Sequence, residues 1–126
     1  GEKLAIAATD HIWRGRPDPA ATLRGIAPDI PVLTMVHEPD FFDEMTRHGR
    51  PLLQVSGHTH GGQCRVPLIG HAPVKVRYGE KYLSGSFSRG ESRLFVTRGI
   101  GTTGIRVRFA CPPEVAVLTL RCPARA

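Results

Sequence analysis

Val55-Ser-Gly-His-Thr-His-Gly-Gly-Gln63 is the stretch on which the reading of this chain turns. A short apolar strand, Leu52 to Ser56, runs into a turn carrying two imidazoles, His58 and His60, separated by a single threonine. Gly57 precedes them, and Gly61 and Gly62 follow. Glycine tolerates positive φ and close backbone approach, so such a turn can bend until both rings point inward. Two imidazoles held this way can grip one metal ion, or one ion each of a close pair, and two-metal hydrolytic sites hold their ions roughly 3.5–4 Å apart. The competing reading is a hairpin whose histidines sit in solvent. The glycine frame and the buried strand favour the metal.

Upstream, Lys3 to Thr9 reads as a strand that ends at Asp10 and His11. Asp18 is placed to cap a helix with Pro19 at its first position, reaching about Ile26. Pro31 to His37 is almost wholly apolar, as expected of a strand buried on both faces. A second helix begins at Glu38-Pro39-Asp40, with Phe41, Met45 and His48 on one face, and stops at Gly49 and Pro51. The order strand–helix–strand–helix–strand predicts parallel crossovers. Asp10/His11, His37 and His58/His60 then each follow the C-terminal end of a different strand, the edge where ligands bind in α/β sheets.

After Gln63 the pattern changes. Val74 to Leu83 and Arg93 to Arg98 read as strands joined by the polar connection Ser84 to Gly90, and Ile105 to Phe109 and Glu114 to Leu120 as closing strands. The last is apolar on both faces and is expected inside a sandwich. Arg98 to Gly104 is a glycine-rich loop whose N–H groups could approach a phosphate, a weak signal alone.

The whole reads as one unit of 126 residues, with 40% hydrophobic and 22% charged content. No apolar run approaches the length of a membrane span. The opening Gly-Glu-Lys-Leu goes straight into a strand, so an N-terminal segment is expected to be missing. The net charge of +6 comes from 14 arginines and three lysines against 11 acids. These are scattered without a dense cluster or interleaved aromatics, so there is no specific nucleic-acid signal. Three cysteines, Cys64, Cys111 and Cys122, form no C-x-x-C pair and argue against a disulfide framework.

Four motifs occur in order: Val36-His-Glu-Pro-Asp40, Gly57-His-Thr-His-Gly-Gly-Gln63, Thr97-Arg-Gly-Ile-Gly101 and Arg108-Phe-Ala-Cys-Pro-Pro-Glu114. Together they resemble the C-terminal half of a bacterial calcineurin-like metallophosphoesterase, over Leu4 to Leu120. The resemblance implies a mixed α/β fold, the second half of a four-layer αββα sandwich in which parallel βαβαβ is followed by antiparallel strands. It implies that His37 and His58 bind one divalent ion and His60 a second, the ions being manganese, iron or zinc. Imidazole suits those metals, and two ions can polarise phosphoryl oxygens and activate water. The substrate implied is a phosphate ester, read here as a phosphodiester.

The family's first-half motifs, Asp-x-His, Gly-Asp-x-x-Asp and Gly-Asn-His-Asp/Glu, are absent, and the chain has no asparagine. The chain is therefore expected to be one part of a single domain, to need its N-terminal half as partner, and to be inactive alone. A cytoplasmic or membrane-associated place follows from the resemblance, any membrane attachment belonging to that N-terminal part. Asp10 falls where the family often has an acid, without an assignable role. Two other readings stand beside this one. One is a non-catalytic basic module for phosphorylated lipid or nucleic acid; the other is a structural zinc site using His37, His58, His60 and Cys64.

Overall fold

Period-two alternation decides which way the strands face. In β3 (Leu53–Ser56) Gln54 and Ser56 are buried while Leu53 and Val55 are only half-buried. β1 (Ala5–Ala8) and β2 (Val32–Met35) repeat the pattern, with Ala7, Val32 and Thr34 inward. The structure is a computed structural model that describes residues 3–68, 70–71 and 77–121. Between the strands stand α1 (Pro19–Leu23) and α2 (Phe42–Met45), the latter continued by single 3₁₀ turns at Pro39–Phe41 and Thr46–His48. A two-stranded antiparallel ribbon follows, β4 (Arg65–Val66) with β5 (Gly70–His71), and then the hairpin β6 (Gly85–Arg89) and β7 (Ser92–Val96).

The main sheet has the order β1-β2-β3-β7-β6. β1, β2, β3 and β7 run parallel, and β6 adds an antiparallel edge. This is the mixed α/β sheet expected of half a metallophosphoesterase sandwich. Its inward face meets Phe42 and Met45 of α2, Leu23 of α1 and Tyr82 in one apolar cluster. Asp18 caps α1 as the sequence predicts, its Oδ1 accepting from the Ala21 N–H at 3.0 Å.

Several expectations fail for identifiable reasons. α1 stops at Leu23, short of Ile26, because Arg24 is extended and Gly25 is left-handed. Phe42 and Met45, rather than Phe41, Met45 and His48, form the buried face of α2, since the flanking 3₁₀ turns break the 3.6-residue spacing. The polar connection Ser84 to Gly90 is mostly strand: Gly85–Arg89 pairs along the whole of β7, and its serines face solvent at the sheet edge. Cross-strand pairing here outweighs weak intrinsic propensity. Tyr82 and Leu83 precede that strand, and residues 74–76 of the expected one lie outside the described residues, as does Cys122.

β2 is not buried on both faces. Met35 is 53% exposed, and Leu33, Val55 and Phe95 line an open apolar surface on the same side. Ile105 to Phe109 forms no strand; Phe109 makes a lone bridge to Cys64. Glu114 to Leu120 runs beside the open face without a strand partner among the described residues, and Val115 and Val117 are 80% and 87% exposed. The interior position expected for it requires a second layer that the described residues do not supply.

Asp43 ties α2 to the hairpin. Its carboxylate accepts from Lys81 Nζ, from Tyr82 Oη at 2.9 Å and from Arg89 Nη1 at 2.7 Å. Burial alone would raise its pKa, but the three donors outweigh that and hold it below the usual carboxylate value. Because the folded value is depressed, the stabilisation is present above the unfolded pKa and is lost as pH falls through the folded one. Asp43→Asn should lower stability in urea by roughly 1–2 kcal/mol at pH 7, with the gap closing as pH falls below about 4.

Candidate functional site

Parallel pairing carries three loops to one sheet edge. Val36 N–H donates to Val55 O, Gly57 N–H to His37 O, and Thr97 N–H to Ser56 O, so the strand-end loops leave the sheet in step. His37, Glu38, His58 and His60 line one cleft of about 450 Å³ with Thr103. His11 and Trp13, from the loop after β1, form its other wall.

Backbone strain concentrates in the histidine turn. His58 and His60 have φ of 66° and 49°, and Gln63 has 42°. Gly57 is not left-handed, so the bending assigned to glycine is shared by the histidines themselves. Left-handed non-glycine residues are costly and persist where surroundings over-determine them. Thr59 supplies much of that constraint. It is fully buried; its Oγ1 accepts from Gly61 N–H at 3.1 Å and donates to Leu83 O at 2.6 Å. Gln63, also fully buried, accepts from Thr103 N–H at 2.7 Å and donates to Thr103 O and Ile105 O. Arg108 gathers the carbonyls of His60, Arg98, Gly99, Gly101 and Cys111 around one guanidinium. The glycine-rich loop thus turns carbonyls toward Arg108, and several of its N–H groups are already engaged: Arg98 N–H with Glu114, Gly99 N–H with Thr97 and Thr103 N–H with Gln63. Thr59, Gln63 and Arg108 were invisible as site supports from sequence, although all three lie inside the quoted motifs.

The imidazoles are directed by their neighbours. A carbonyl only accepts, so His60 turns an Nδ1–H toward Gly101 O at 3.2 Å, which in the neutral ring makes Nε2 the lone-pair nitrogen. His58 likewise donates Nε2–H to Arg77 O at 2.9 Å, which leaves its Nδ1 lone pair facing His37 Nε2 at 3.1 Å. Backbone acceptors that fix the tautomer in this way are typical outer partners of metal-ligating histidines. With metal–nitrogen bonds of roughly 2.0–2.1 Å, two adjacent ligands stand about 2.9–3.4 Å apart, so the His37–His58 pair matches the spacing an ion needs. His37 is held below the ordinary imidazole pKa, first by burial and next by His58, against the opposing pull of Glu38. That favours the neutral, ligating form.

The third imidazole stands apart from this pair. Among the described residues no three His, Cys, Asp or Glu side chains stand close enough to hold one ion. Glu38, read from sequence only as a helix start, is a carboxylate with 1% exposure in the cleft wall, near His11 Nδ1 at 3.2 Å and accepting from Ile12 N–H at 3.3 Å. Cys64 is buried and directs its thiol to Val107 O, outside the cleft lining. Asp10 acquires a structural role, accepting from the N–H groups of His11 and Arg16 to close its own loop.

With this geometry in place, known proteins give it a context. The chain is 38% identical over 122 residues to YkuE of Bacillus subtilis, an uncharacterized metallophosphoesterase, covering 96% of this chain. It is also 38% identical over 122 residues to the phosphodiesterase YaeI of Escherichia coli, covering 94% of this chain. A metallophosphoesterase of Helicobacter pylori is 32% identical over 91 residues, 71% of this chain and 23% of that protein. This chain belongs with the calcineurin-like metallophosphoesterases. It spans 42% of the length of YkuE and of YaeI. No family model matches it, and no solved structure does.

Gly61 offers a test of the turn. It is left-handed at φ 62°, and an added Cβ would stand 2.4 Å from Arg98 Cγ and 2.9 Å from Cys111 Sγ. Gly61→Ala should cost more than about 1 kcal/mol in urea denaturation, whereas Gly49→Ala, left-handed but with open space around it, should lose only the backbone preference.

Proposed function

We propose that this chain is the C-terminal part of a divalent-metal-dependent phosphodiesterase, in which His37 and His58 hold one ion and His60 a second. The observation that supports this most directly is the pair of ring nitrogens at 3.1 Å, with His60 in the same cleft and its Nε2 free. The names of YkuE and YaeI agree with a phosphoesterase. When bound, two such ions would polarise a phosphoryl oxygen and lower the pKa of water. The chain's own part is to present neutral imidazoles at fixed orientations and to brace them through Thr59, Gln63 and Arg108. His37 must surrender the hydrogen it points at His58 and move it to Nδ1 before both nitrogens can serve as ligands. The bridging carboxylate and asparagine of the family would come from the rest of the domain, packed on the open apolar face of the sheet.

The two competing readings fare less well. A basic binding module is favoured by no gathered patch among the described residues: Arg50, Arg108, Arg98 and Arg89 are tied to carbonyls or carboxylates, and the exposed Arg14 and Arg16 sit beside the histidine cleft. A structural zinc site loses its fourth ligand because Cys64 is directed elsewhere.

In the full-length protein, His58→Ala and His60→Ala should each lower turnover of an aryl phosphodiester by several orders of magnitude. Each should also reduce the two bound metals measured by elemental analysis. His48→Ala, exposed at the end of the turn after α2, should leave both within about two-fold, as surface substitutions do. Full activity in His58→Ala would end the metal reading.

The 126-residue chain alone should bind fewer than two ions and release no product. Two divalent ions a few ångströms apart repel strongly without anionic ligands between them. Metal-stimulated turnover by the purified chain, with contaminating phosphatase excluded, would place the catalytic centre elsewhere.

A further inference from the structure

The cleft has one wall that metal binding does not account for. Trp13, the single tryptophan of the chain, is 56% exposed and lines the cleft. Its ring centroid lies 6.3 Å from that of His58 in an edge-to-face arrangement. A lone exposed aromatic is ordinary on a protein surface. This one differs in being carried by a locked loop at the mouth of the proposed centre.

The lock is built from both ends. The Asp10 carboxylate accepts from His11 N–H at 2.8 Å and Arg16 N–H at 3.3 Å, and Gly15 N–H donates to His11 O at 2.9 Å. Only glycine fits at position 15, where a Cβ would stand 2.2 Å from Asp10 Oδ2. On the cleft side Ile12 N–H donates to the buried Glu38 carboxylate at 3.3 Å. The backbone N–H of Trp13 and the Glu38 carboxylate both stand beside His11 Nδ1, at 3.0 and 3.2 Å, and the ring nitrogen can hydrogen-bond only one of them at a time. The backbone that carries the indole is therefore fixed before a ligand arrives, so a ligand need not order the loop.

We propose that Trp13 is a substrate-contacting residue, the platform on which a planar ring of the phosphodiester, an aryl or nucleobase group, stacks while its phosphate meets the imidazoles. This rests on the phosphodiesterase reading and extends it to substrate class. The choice of a planar ring over an acyl chain comes from the lining. Besides Trp13 it consists of histidines, Glu38 and Thr103, with no aliphatic side chain among the described residues. Among the described residues a flexible chain finds no apolar trough here, whereas a planar ring gains its contact from one aromatic face. Arg14 and Arg16, exposed on the same loop, favour an anionic molecule on approach.

The test is binding of unreactive ligands to the metal-loaded full-length protein by titration calorimetry, with phenylphosphonate set against methylphosphonate. Wild type should prefer the phenyl compound by roughly ten-fold or more, as one aromatic stack is worth. Trp13→Ala should bring the two within about two-fold, and Trp13→Phe should keep most of the preference. Adenosine 5′-monophosphate against ribose 5-phosphate asks the same question of a nucleobase, and a preference there but not for phenyl would narrow the class to nucleotides. A phenyl or adenine preference that survives Trp13→Ala overturns the inference, as does a wild type that shows neither. If neither phosphonate nor either phosphate binds wild type, the phosphodiesterase reading falls with it. Retained methylphosphonate affinity in Trp13→Ala shows that the variant is folded.

Discussion

Parallel pairing on both sides of β3 is the constraint on which the rest depends. Leu33 to Met35 pairs with Leu53 to Val55 on one side, and Leu53 to Ser56 pairs with Arg93 to Val96 on the other. Parallel neighbours end at the same edge, so the pairing that sets the sheet also decides where His37, His58 and the loop after Val96 emerge. Slipping β3 by one residue would turn Gln54 and Ser56 outward and send the histidine turn away from His37. Register and site are therefore one specification. The hydrogen bonds from Gly57 N–H to His37 O and from Thr97 N–H to Ser56 O extend it one step past the strands.

What the sequence revealed followed period and punctuation. The βαβαβ order, the Asp18 cap and the placement of histidines after three strands were legible because apolar runs and helix starts leave local marks. Gly85–Arg89 was not legible, since a serine- and glycine-rich segment becomes a strand only through a partner supplied by Ser92–Val96. The same holds at the site. His37, His58 and His60 declare themselves by residue type, whereas Thr59 and Gln63 matter through contacts to Leu83, Thr103 and Ile105, far away in the chain. Glu38 escapes notice in the sequence because a glutamate before a proline reads first as a helix start. Its burial follows from the way the loop after β1 folds over it.

The two faces of the sheet have different standing. One is closed by Phe42, Met45 and Leu94 into a packed cluster. The other presents Ile6, Met35 and the half-buried Leu33, Val55 and Phe95, with Val115 and Leu118 beside them. Leaving such a surface in water forfeits the burial that normally stabilises a parallel sheet, which is usually covered on both sides. The proposed division of labour, imidazoles from this chain and carboxylates from the remainder of the domain, places the packing and the chemistry at one boundary. Covering the face and completing the ligand set would then be a single event.

Order of synthesis gives Arg108 a further meaning. The long-range braces on the His60 backbone and ring come from downstream: Gly101 from 41 residues later, Arg108 from 48 and Cys111 from 51. At roughly 5–20 residues per second a ribosome needs about 3–10 s to travel that far beyond the turn. During that interval His60 lacks these long-range contacts and keeps only local ones, the Gln63 N–H on its carbonyl and the Thr59 hydroxyl on Gly61 N–H. The turn therefore reaches its final geometry only once the Arg108 guanidinium has joined it.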